Sequence, residues 1–185
     1  MSYQADHDFE HAQLSKVWGK YAGSVADNSD PQRMGRLQVR CDAILGSAVV
    51  WAMPCVPYAG PGVGMHFLPP PGGGVWVEFE GGDVSRPIWS GCYWSQDDLP
   101  SEAESADIKL IFTDKASVLI DDAACSVTIT NRNGASVTLT STVVAKAGGA
   151  QHSVGAAGVV AQAGAGKVDV NPAGVSVNNG AFSVL

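Results

Sequence analysis

The chain has 185 residues, is 45% hydrophobic and 16% charged, and carries a formal net charge of −7. That composition supplies a packed core and argues against disorder over the whole length. The acidic balance argues against a general nucleic-acid binder, which needs a basic face for phosphates, and no run approaches the ~18 apolar residues of a membrane span.

The first residues, Met1 to Asp8, are polar and acidic, without the basic start and apolar run of a secretory signal. The expectation is folding in a cytoplasm, with any exit by lysis or inside a machine. Leu14, Val17, Trp18 and Tyr21 fall at helical spacing, which predicts a short helix ending near Gly19 within an N-terminal segment, 1–20. Its apolar face packs either on its own domain or on a partner.

From Tyr21 the pattern becomes β. Tyr21 to Asp27 reads as a strand, and Asn28-Ser29-Asp30-Pro31 as a turn. Gly35 to Cys41 alternates, with Leu37, Val39 and Cys41 on one face and Arg36, Gln38 and Arg40 on the other. Val49 to Met53 is a short apolar strand. Val75, Val77 and Phe79 share a face of the next, and Pro87 to Trp94 is the last. Five short strands with turns between them predict a small antiparallel barrel of OB type over 21–95. The Pro- and Gly-rich stretch 54–74 forms a shaped loop that cannot be helical. Its apolar members Val63, Met65, Phe67 and Leu68 are either tucked under the loop or pressed on a neighbouring subunit.

Composition then changes. All five tryptophans and all four tyrosines precede Ser95, and only Phe112 and Phe182 are aromatic after it. The acidic, proline-containing stretch 96–107 reads as a linker. Over 108–185, short β segments centre near Leu110, Leu119, Thr128, Thr138, Val144, Ser153, Val160, Asp169, Ser176 and Val184. Turns are marked by Asn131-Arg132-Asn133-Gly134, Gly148-Gly149, Gly164-Ala165-Gly166 and Asn171-Pro172-Ala173-Gly174. Burying a valine yields about 1.5–3 kcal/mol, whereas ordering a residue costs about 1.5 kcal/mol. A thin ribbon of Val and Ala is therefore marginal alone, and wrapping identical chains round one axis would cover its apolar stripe. A single-chain β-solenoid or sandwich is the alternative.

These residues resemble the phage baseplate assembly protein V family and related spikes of contractile tails, extracellular injection systems and type VI secretion. The resemblance rests on Gly35 to Arg40, Trp51 to Cys55, Gly60 to Gly64, Gly74 to Asp83 and Pro87 to Trp94. It is close over about 18–95, and beyond that the ladder matches only in kind. It implies an all-β protein: an N-terminal OB-type barrel followed by an intertwined trimeric, triple-stranded β-helix needle. It further implies a homotrimer, seated on a baseplate hub protein through the barrel and driven through a target envelope when a sheath contracts. The chain would then be part of a virion or injection particle and touch the target membrane only transiently.

Hub or subunit contacts are expected from Leu14, Val17, Trp18, Val63, Met65, Phe67 and Leu68. Some relatives carry a lysozyme domain, for which the linker here is too short. Others end in a His-x-His motif that binds iron, whereas the histidines here are His7, His11, His66 and His152. A PAAR-type tip protein is expected on Ala181, Phe182, Val184 and Leu185.

No catalytic constellation stands out, and no enzyme activity or cofactor is expected. Glu78 and Glu80 share a strand face, but glycosidase carboxylates usually come from separate elements, so an exposed polar face is expected. His152, isolated in the ladder, is a weak candidate for a metal on the trimer axis. Cys41, Cys55, Cys92 and Cys125 lack zinc or redox spacing and are expected as buried free thiols. Two other functions remain open: an OB-fold nucleic-acid binder using Arg33, Arg36, Arg40 and Arg86, and a passive tail fibre or receptor-binding protein. A hydrolase of cell-wall polymers would be separated from these by activity on peptidoglycan.

Overall fold

The computed structural model describes residues 16–184. The chain divides into two compact units at Asp98/Leu99. The first is a closed five-stranded barrel. Its strands are β1 (Tyr21–Asp27), β2 (Leu37–Arg40), β3 (Val49–Pro54), β6 (Gly74–Phe79) and β7 (Pro87–Tyr93), in the order β1-β2-β3-β7-β6, with β6 closing on β1. All neighbours are antiparallel except β3 and β7, which run parallel. That parallel pair needs a long connection, which the 55–73 loop, β6 and the turn after it supply together. Within the loop, β4 (Ala59–Gly60) and β5 (Val63–Gly64) make a small hairpin. A four-residue helix, α1 (Asp42–Leu45), joins β2 to β3.

The alternation read from sequence decides the barrel's inside. Val25, Leu37, Val39, Cys41, Ala52, Val75, Val77, Phe79 and Trp89 form its buried core. The buried indole of Trp89 donates to the Gly35 carbonyl at 3.2 Å, so its one polar atom is satisfied. The β1–β2 loop is pinned by Asp30. Its carboxylate accepts from Gln32 N at 3.0 Å, Met34 N at 2.8 Å and the Arg36 guanidinium at 2.7 Å.

The second unit is one ten-stranded antiparallel sheet, and each strand pairs only with its neighbours in sequence. The strands are β8 (Ile108–Phe112), β9 (Ala116–Asp121), β10 (Ser126–Asn131), β11 (Ser136–Leu139), β12 (Val143–Ala147), β13 (Ala150–Gly155), β14 (Gly158–Ala163), β15 (Gly166–Asn171), β16 (Gly174–Val177) and β17 (Phe182–Val184). Two-residue loops join β12 through β16, the tightest connection an antiparallel pair allows. At one of them glycine is required: Gly158 has φ +139, and a Cβ there would lie 2.1 Å from the Val170 carbonyl oxygen. All ten strands fall where the segment centres predict them.

The short helix expected near the N-terminus is not found over the described residues. Residues 16–20 carry no helix, and Tyr21 already begins β1. Backbone pairing wins over the helical spacing, because Val17 N donates to the Gly82 carbonyl at 3.0 Å. Gly82 allows that approach: its φ is +78, and a Cβ would meet Lys16 Cβ at 2.7 Å.

Candidate functional site

The register of the ten-stranded sheet sorts its side chains onto two faces. On one face two cross-strand rows run from β10 to β17. The first is Ile129, Val137, Ala145, His152, Ala161, Val168, Val177 and Phe182. The second is Val127, Leu139, Val143, Val154, Val159, Val170, Val175 and Val184. Apart from His152, every member is apolar. Between them, on the opposite face, lies a mixed row that includes Thr128, Thr138, Ser153, Asp169 and Ser176.

The apolar face is uncovered. Every fully buried hydrophobic among the described residues belongs to the barrel, and none to the sheet. Ile129, Val137, Leu139, Val143, Val154, Val168, Val170, Phe182 and Val184 are all exposed, as are Ile111 and Ile120, which continue the rows into β8 and β9. Contiguous exposed apolar side chains on this scale mark an interaction surface rather than the scattered exposure usual on a monomer. Along the first row runs an open trough of about 880 Å³, lined by alanines of β12 to β14 together with Ile129, Val137, His152 and Val168.

The barrel carries a smaller apolar surface at the 54–74 loop. Val63, Met65 and Phe67 are exposed, whereas Leu68 is tucked against the barrel core. Val17 packs on the same core from the other side, while Trp18 is exposed beneath the Lys16 ammonium at 5.6 Å. Leu14 and Leu185 lie outside the described residues, as do His7 and His11. Ala181, Phe182 and Val184 are exposed at the last strand of the sheet.

Several charged residues of the barrel are occupied in local pairs. Glu78 accepts from Lys20 at 2.7 Å, and Glu80 from Arg86 at 2.6 Å. The Lys20 ammonium is also the main reason the Glu78 carboxyl sits below its ordinary pKa. Arg36 is bound to Asp30 and lies over the Trp51 ring at 4.9 Å, so this arginine and aromatic are spent on each other. Among the described residues no three His, Cys, Asp or Glu of one chain converge as metal ligands, and no helix is long and apolar enough to cross a membrane. Of the four thiols, all free, only Cys41 is buried; Cys55, Cys92 and Cys125 are exposed, contrary to expectation. Cys55 follows the last residue of β3 and Cys125 sits in a turn at φ +48, so neither reaches a core.

Of the contact residues expected from sequence, Trp18, Val63, Met65, Phe67, Ala181, Phe182 and Val184 are exposed. Sequence reading anticipated an apolar stripe on the ladder, and the register now shows which residues make it up. Residues 21–94 match the family model described as the Type VI secretion system/phage-baseplate injector OB domain. No curated protein matches the chain.

Proposed function

We propose, from the chain's membership through its OB barrel in the phage-baseplate and type VI injector family, that it is the central spike of a contractile baseplate and acts as a homotrimer. The observation that carries this reading is the uncovered apolar face: two rows, interrupted between β10 and β17 only by His152, on a sheet that has no buried residue among those described. An isolated sheet of this kind would expose its apolar rows to water. Three copies turned inward on a common axis would bury them in one another. The backbone hydrogen bonds are already closed between neighbours in sequence, so the copies need supply burial rather than strand pairing, and small Val and Ala side chains suit a narrow interior.

In this reading the barrel seats on the hub, with Trp18 and the exposed Val63, Met65 and Phe67 as contacts with hub or neighbour. A PAAR-type tip caps the far end at Phe182 and Val184. The work is mechanical, and interlocked subunits resist unfolding one at a time. No catalysis is involved, so the purified protein should leave peptidoglycan intact. Imaging of a baseplate assembled with this chain is the test. Three copies at the end of the inner tube are expected, and a peripheral position or a single copy would overturn the proposal.

A further inference from the structure

We propose, resting on the reading that three copies close on their apolar faces, that His152 forms an intersubunit site for a divalent transition-metal cation. His152 is the single ionisable residue in the two rows from β10 to β17. Its cross-strand neighbours are Ala145 and Ala161, and its neighbours along the strand on the same face are Ala150 and Val154. None offers a polar side-chain atom.

Closing the trimer buries the ring among methyl groups, and a buried polar group left without a partner is destabilising. The copies themselves supply the remedy. On a threefold axis the three His152 rings are brought to one level, and neutral imidazole nitrogen is a good ligand for borderline metals such as zinc, cobalt or nickel. Three nitrogens leave a fourth position for water or an anion. The local packing leaves room for this. Alanines cluster around His152 in the trough, at Ala145, Ala147, Ala150, Ala161 and Ala163, whereas valines fill most of the parallel row. A single chain gathers no such ligand set among its described residues, so the site exists only in the assembly.

The experiment titrates the chelator-stripped full-length protein with Co²⁺, reading visible absorption, with mass by light scattering on the same sample. The expected result is a trimer that binds about one ion per three chains, with the signal lost in His152→Ala and kept in His66→Ala, both still trimeric. A trimer that binds no cobalt, or binds it equally well as His152→Ala, overturns the metal site and leaves the spike reading standing. A monomer overturns the spike reading itself and the site with it.

Discussion

At the scale of single residues, the barrel rests on side chains whose direction was legible from alternation and on one that was not. Leu37 is fully buried on the face that alternation assigns to the interior. Truncating it to alanine should lower barrel stability by about 2–5 kcal/mol. All five tryptophans belong to the first unit, so their fluorescence in a urea titration reports that loss; an unchanged midpoint would contradict the packing. Asp30 appears in sequence only as a turn residue. Its role as the pin of the β1–β2 loop depends on the folded position of Arg36, six residues on, which turn composition does not encode.

The Arg36 guanidinium, helped by the backbone N–H groups of Met34, Gln32 and Arg36, holds the Asp30 carboxyl well below the usual carboxylate range. A depressed folded pKa means stability fully present above the unfolded value of about 3.9 and lost as pH falls through the folded one. The barrel should therefore melt progressively earlier below about pH 4. Asp30→Asn should be less stable at neutral pH and show a shallower acid dependence in the same melts. Parallel pH profiles for the two proteins would refute the pin.

At the scale of elements, ten of ten sheet strands were legible because short β segments alternate with glycine- and asparagine-marked turns. Over the described residues 16–20 the helical spacing gives way to backbone pairing, because spacing alone does not know that Gly82 leaves room for a chain beside it. Which face of each strand matters could not be read before the register was known. Once known, it makes a face-specific prediction. Val137→Lys and Val168→Lys place a charge in the apolar rows and should abolish self-association. Thr138→Lys, one residue from Val137 but on the opposite face, should leave it intact. Size-exclusion with light scattering separates these outcomes, and equal behaviour of the two faces would show that the rows are not the interface.

At the scale of the molecule, the resemblance was legible in the barrel, because the quoted motifs and the matched family model cover the same strands. The second unit was legible as a β ladder with an apolar stripe, but the residues that make up each row could be assigned only once the register was known. The central claim is that the sheet's apolar face is covered by copies of the same chain. The mass of the purified protein in solution tests it most directly. The expected value is three times the 19.1 kDa chain mass, unchanged on dilution to low micromolar concentration. A particle with the mass of one chain would contradict the account.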